Sequence, residues 1–256
     1  MRVFITGSAE GLGQMAAERI AAVGHEVVLH ARNESRARQA LEATPGAADA
    51  LVADLASLHE TKELAETANT SGRFDAVIHN AGVGFHEPLR RTHEGLPHVL
   101  AINALAPYVL TSLMTRPDRL VYLTSGMHRG GDADLSDLTW ERRRWSGAQA
   151  YSDSKLYDLI LAFAVARHWP EVLANAVEPG WVATKMGGPG APDDFAAGSE
   201  TQAWLAASDD PEALVSGRLL YHRQPHAHHP VADDANLQEE LLRQFAELTG
   251  VPFPTA

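Results

Sequence analysis

Residues 2–22 narrow the choice of fold more than any other stretch of this chain. Arg2 to Ile5 is a short β-branched and aromatic run, Thr6-Gly7-Ser8-Ala9-Glu10-Gly11-Leu12-Gly13 follows, and a helical pattern continues through Ala22. That is strand, glycine turn, helix. Glycines at 7, 11 and 13 let the backbone turn sharply, approach a pyrophosphate closely and pack helix on strand, while free N–H groups at the helix start meet the anion. The spacing is Gly-x-x-x-Gly-x-Gly, distinct from the commoner Gly-x-Gly-x-x-Gly fingerprint. Glu10 lies inside the turn, and a carboxylate there suits a phosphate site only if it points away.

The same alternation continues. Glu26 to Ala31 reads as a second strand ending in Arg32-Asn33. An acidic residue at this place usually holds the ribose hydroxyls of NAD, whereas an arginine suits the 2′-phosphate of NADP, so Arg32 argues for NADP. Arg36 either assists it or only begins the helix through Glu42. Ala50 to Ala53 is a third strand ending at Asp54-Leu55, where the aspartate either meets an adenine or caps the helix starting near Ser57. Phe74 to His79 is a fourth strand and runs into Asn80-Ala81-Gly82-Val83-Gly84. Ligands of open α/β sheets sit over that carboxyl edge, so two small-residue turns converge on one crevice.

Further on, Ala150-Tyr151-Ser152-Asp153-Ser154-Lys155 opens the most apolar helix-like run, Leu156 to His168. Tyr151 and Lys155 are four apart and share a helix face. A phenol with a pKa near ~10 is a poor base at neutral pH, but a fixed ammonium nearby favours its ionised form and draws that value down. Tyr151 is thus a candidate proton-transfer group.

Composition removes competing chemistries. There is no cysteine, so disulfides, thiolate catalysis and cysteine-ligated metals are excluded. A net charge of −12, from 21 basic and 33 acidic residues, opposes nucleic-acid binding and suits a cytoplasmic protein. Met1-Arg2 runs straight into the first strand without room for a cleavable signal, and the longest apolar run, Leu159 to Ala166, is too short to span a bilayer. With 45% apolar residues and no composition break, the 256 residues read as one domain. His226-Ala227-His228-His229 could bind zinc, although a polar loop is the simpler reading because the spacing defines no tetrahedron. No metal is expected.

Taken together, Thr6-Gly7-x-x-x-Gly11-x-Gly13, Asn80-Ala81-Gly82, Ser125, Tyr151-x-x-x-Lys155 and Pro179-Gly180, in this order, resemble the short-chain dehydrogenase/reductase family. The resemblance runs from Met1 to about Thr184. It implies a single doubly wound α/β domain of the Rossmann type, with seven mostly parallel strands in the order 3-2-1-4-5-6-7. Residues 1–115 would form the cofactor-binding half and 116–256 the catalytic and substrate half. It also implies that Gly7, Ser8, Gly11, Leu12, Gly13, Arg32, Asp54, Leu55, Asn80, Ala81 and Gly82 hold the cofactor, together with Tyr151, Lys155, Pro179 and Gly180, and that Val182 and Thr184 meet the nicotinamide amide. The expected cofactor is NADP(H), with NAD(H) possible. Tyr151 would transfer the proton and Ser125 hold the substrate oxygen. Lys155 would hold the ribose, and Asn103, in the helix Leu96 to Met114, would kink that helix and position a water linking the lysine to solvent.

The expected activity is interconversion of a carbonyl and an alcohol on a small molecule. Reduction of a carbon–carbon double bond, or NADP sensing without catalysis, are the alternatives, and relatives commonly form homodimers or homotetramers. A 25-residue interval between Ser125 and Tyr151 resembles the longer loop of the retinol-dehydrogenase-like and protochlorophyllide-reductase-like branch. Its Arg142-Arg143-Arg144 run reads as a solvated face, with a substrate lid as the minority hypothesis. Glu178 departs from the histidine or asparagine that many relatives have before the proline. Lys185 to Ser199 reads as a loop and short helix over the substrate, Ser216 to Tyr221 as the seventh strand, and Ala235 to Leu248 as an amphipathic helix packed on the sheet or on a neighbouring subunit.

Overall fold

A computed structural model describes residues 1–255. The strands are β1 (Arg2–Ile5), β2 (Glu26–Ala31), β3 (Ala47–Val52), β4 (Ala76–His79), β5 (Arg119–Leu123), β6 (Leu173–Glu178), β7 (Leu219–Tyr221) and β8 (Gln224–Pro225). They form one sheet in the order β3-β2-β1-β4-β5-β6-β7-β8. The order of the first seven is the expected one. The count is corrected from seven to eight, because His222 and Arg223 take positive φ and fold the chain back as an antiparallel edge strand against β7. Every other pairing is parallel.

Helices α1 (Gly11–Ala22) and α7 (Phe195–Ala207) cover one face of the sheet. The other face carries α3 (Leu58–Thr70), α5 (Ala106–Leu113), α6 (Gly147–His168) and α8 (Ala235–Thr249). Two apolar layers result, as the near-continuous hydrophobic runs of the strands require, since both faces of a parallel sheet must be buried. The remaining helices are α2 (Glu34–Ala43), at the β2–β3 crossover, and α4 (His98–Leu100). The stretch read as one helix from Leu96 to Met114 is α4, a five-residue π-helical segment Ala101–Leu105 centred on Asn103, and α5.

The interval after Ser125 is a folded plug. Asp137 accepts hydrogen bonds from the amides of Glu141, Arg142 and Arg143, closing the loop on itself. Arg143 is not part of a solvated face: its guanidinium donates to the buried Asp153 at 2.7 Å and stacks on Trp140. Arg142 and Arg144 are exposed, as expected. At the other end, α8 packs on α6 of its own chain through Leu241, Leu242 and Phe245.

Candidate active site

The carboxyl ends of β1 and β4 are locked together by Thr6, whose Oγ1 accepts from the amides of Asn80 and Ala81 at 3.0 and 3.1 Å. The Asn80 side chain returns two hydrogen bonds, to the carbonyls of Thr6 and Gly7. This clamp explains two of the glycines. A Cβ on Gly7 would lie 2.7 Å from the Ala81 Cα, and one on Gly13 would lie 2.3 Å from the Asn80 amide nitrogen. Gly11 has φ of +63° and needs conformational freedom instead.

Helix α1 then starts with no side-chain cap, although α2, α3, α6, α7 and α8 are all capped by the residue before them. Its first amides are thus left for an anion, and the cradle fits a dinucleotide phosphate. Glu10 does point away. It pairs with Arg36 at 2.8 Å and with Lys185, and these cations outweigh the opposing effect of burial to hold its carboxyl below the usual range.

Ser8 lies inside the turn. It is fully buried, its hydroxyl donates to the Ile5 carbonyl and accepts from the His30 amide, and its own amide bonds the His30 carbonyl. Its side chain thus shapes the turn from inside. Leu55 is likewise buried in the core, while Asp54 is exposed and accepts from the Ala56 amide. Ser57, not Asp54, caps α3. Arg32 is exposed at the end of β2, and Asn33 caps α2.

Tyr151, Ser125, Pro179, Gly180, Val182, Thr184 and Leu12 line one cavity of about 680 Å³ at this sheet edge. Phe85, Met127, Trp181, Met186 and Tyr221 give it apolar and aromatic walls. The Tyr151 hydroxyl reaches the Met186 sulfur at 3.8 Å. One turn below, the buried Lys155 Nζ donates to the Leu123 carbonyl at 2.7 Å and to Asp158 at 2.8 Å, and it lies 6.0 Å from the Tyr151 ring centre. Burial favours the neutral amine, but Asp158 and Tyr151 outweigh it and raise the Lys155 pKa above its ordinary value. Burial in turn pushes Asp158 up to about 6 against the pull of Lys155.

Asn103 ties the β4 turn to α6. Its Oδ1 accepts from the Val83 amide, and its Nδ2 donates to the Val83 carbonyl and to Ser154. A Cβ on Gly82 would sit 3.5 Å from that Oδ1 and 3.7 Å from Lys155 Nζ, so the small-residue turn passes directly over the lysine.

Three supporting residues escaped the sequence reading. His30 accepts from the Gly7 amide through Nδ1 and meets the Ala53 carbonyl through Nε2, bracing the glycine turn from β2. His128 receives the same kind of use: its Nδ1 donates to the Ser125 carbonyl at 2.6 Å. Asp158 is the third. His30 and Asp158 are polar residues inside apolar runs, the one signal in sequence that could have exposed them, whereas His128 lies in a polar, glycine-rich stretch that carries no such mark. Among the described residues no group of three or more His, Asp or Glu is placed to hold a metal ion, the histidine tract included.

A doubly wound sheet with a glycine-turn anion cradle and a Tyr–Lys pair at one edge defines a dinucleotide-dependent oxidoreductase fold. A model described as short chain dehydrogenase matches residues 1–194. The chain is 44% identical to an uncharacterized oxidoreductase of Emericella nidulans, over 99% of both chains. It is 34% identical to a Streptomyces protein named as a daunorubicin C-13 ketoreductase, over 97% of this chain and 92% of that one. Human retinol dehydrogenase 13 is 28% identical, over 99% and 86%. Among solved structures, an uncharacterized protein from Mycobacterium paratuberculosis superposes with a TM-score of 0.86 at 27% identity, covering 99% and 94%. A blue fluorescent protein from a metagenomic library, solved in complex with NADPH, gives 0.68 at 25% identity, covering 86% and 95%. The chain belongs to the short-chain dehydrogenase family and resembles its retinol-dehydrogenase-like members. It is a dehydrogenase/reductase of CH–OH and C=O groups.

Proposed function

We propose that the protein interconverts a small-molecule carbonyl compound and its alcohol with NADP(H), using Tyr151 as the general acid and base. The observation that carries this reading is the Tyr151 hydroxyl opening into the same cavity as Ser125, above a buried cationic Lys155. Gly7, Gly11, Leu12, Gly13, Asn80, Ala81 and Gly82 would hold the dinucleotide, with Pro179, Gly180, Val182 and Thr184 at its nicotinamide end. The bound nicotinamide supplies or accepts the hydride.

The chain's own residues do the rest. Ser125 Oγ donates a hydrogen bond to the substrate oxygen and fixes it beside Tyr151. The Tyr151 hydroxyl passes its proton to that oxygen in reduction and takes it back in oxidation. Lys155, pinned by Asp158 and the Leu123 carbonyl, keeps a positive charge under the phenol as the proton leaves. Asn103 holds the turn over Lys155 and thereby the ribose side of the site. Phe85, Trp181 and Met127 exclude water from the reacting carbon.

The preference for NADP(H) rests on Arg32, exposed at the end of β2, with Arg36 in the first turn of α2 paired to Glu10 and able to assist only by giving up that partner. The NADPH found in one structural neighbour supports it.

Turnover of aryl and alkyl ketones, aldehydes and their alcohols, followed at the nicotinamide absorbance with NADPH and NADH in parallel, tests the proposal. Wild type is expected to favour NADPH. Tyr151→Phe is expected to lose roughly 10²- to 10⁴-fold in kcat with NADPH affinity little changed. Wild-type rates in Tyr151→Phe would end the Tyr151 mechanism.

A further inference from the structure

The wall of the cavity next to Ser125 carries a carboxylate that the proposed chemistry does not use. Glu178 ends β6 and lines the cavity, and its side chain is only 13% exposed. Room for it exists because residue 126 is glycine: a Cβ there would lie 2.6 Å from Glu178 Oε1. That oxygen therefore lies against the residue directly after Ser125, within reach of a group near the reacting carbon.

The two oxygens differ in their partners. Oε2 accepts from Arg129 at 3.2 Å and has the His226 Nε2 at 3.9 Å. Arg129 is shared, since it also donates to the carbonyls of Gly126 and Ala227. Oε1 has no hydrogen-bond donor among the described residues, and it lies against Gly126, which lines the cavity together with Glu178. The second carboxylate of the lining, Asp193, is committed through Oδ2 to the Trp181 amide at 2.5 Å. Tyr221, in the same lining, is held above its ordinary value by burial and by Asp193 and Glu178.

We infer that Glu178 selects substrates carrying a hydroxyl donor beside the reacting carbon, on an aromatic or apolar frame, and rejects those carrying a carboxylate there. The inference rests on reading this cavity as the substrate site. An ionised carboxylate only accepts hydrogen bonds, so it rewards a donor and repels an anion. The apolar walls take the frame, and Oε1 takes the hydroxyl.

Three alcohols of one shape separate the possibilities: 1-phenylpropan-1-ol, 1-phenylethane-1,2-diol and mandelate. Their binding to the NADP⁺-loaded enzyme is measured by calorimetry. The diol is expected to bind about tenfold tighter than the propanol, the scale of one hydrogen bond to a charged group, with mandelate weakest. In Glu178→Gln the diol advantage should shrink several-fold and mandelate should gain. In Glu178→Asp, where the charge stays but is drawn back, the diol advantage should go while mandelate stays excluded. Equal binding of all three by wild type, or an unchanged ranking in both variants, overturns the assignment. The ranking is read at equilibrium, so a ranking that holds without oxidation of any of the alcohols would count against the catalytic reading and not against the selectivity of Glu178.

Discussion

His30, His79 and His128 are each 3% exposed or less, and burial lowers their pKa values to about 4, 3 and 4. All three fold as neutral imidazoles. The Gly7 amide donates to His30 Nδ1, so its proton sits on Nε2 and faces the Ala53 carbonyl. A histidine whose folded pKa is depressed contributes stability above its unfolded value near ~6.5, and that contribution is lost as pH falls toward the folded value. Asp158 works the other way, because its folded pKa is raised to about 6 and protonation favours the folded state. Three groups oppose one, so stability should fall between pH 7 and 5, before ordinary carboxylates titrate. For His30 alone the full span is on the order of 3 kcal/mol. Urea midpoints at pH 7, 6 and 5 measure this, and a midpoint that does not move would mean that the folded and unfolded chains take up protons alike, so that the fold does not hold these imidazoles neutral. His30 and His128 also brace the turns that carry Gly7 and Ser125. Acid should therefore weaken cofactor binding along with the fold.

The segment between β6 and α7 is the element closest to the chemistry. Trp181 donates from its indole to the Gly187 carbonyl, the Gly187 amide donates to Thr184 Oγ1, and Lys185 pairs with Glu10. These bonds press the Met186 side chain onto Gly84 and the Tyr151 hydroxyl. A substrate oxygen that takes the Tyr151 proton has to displace the thioether. Met186→Ala is thus expected to lower KM several-fold with a smaller change in kcat, read by initial rates on any ketone the wild type reduces. An unchanged or raised KM would show that Met186 grips the substrate instead of making way for it. This loop was legible in sequence from its glycines and prolines, and so was its place over the site. Met186 itself was not, because no periodicity marks which residue of an irregular segment turns inward. The plug after Ser125 went further astray: three consecutive arginines look solvated, yet Arg143 finds a carboxylate ten residues on, and only the fold brings Asp153 to it.

At the scale of the whole molecule, α6 is buried almost all round from Ala150 to Val165, although it is a single helix on the outside of a sheet. Its outer side is covered by α8 and by the turn Pro230–Asp233 of the same chain. Tyr108 and Trp169 fasten the segment after α8 by bonds to the Val251 and Pro254 carbonyls. An apolar helix covered from within offers little for a second copy to bury, and stable interfaces need about 800 Å² from each partner. Sedimentation is expected to give a monomer near 27.6 kDa. A mass of twice that would show pairing through another face. The sequence by itself determined both glycine turns and the Tyr151–Lys155 face, because backbone sterics and helical spacing are local rules that leave their marks in local residues, whereas the strand order followed from the resemblance to the family. Only the tertiary structure decided that Ser8 turns inward, that Asp158 holds Lys155, that α8 covers α6 and that Glu178 keeps an oxygen without a donor beside Gly126. Each of these depends on which distant groups arrive to share a buried polar atom or an apolar face, and that is set by the packing of the whole chain.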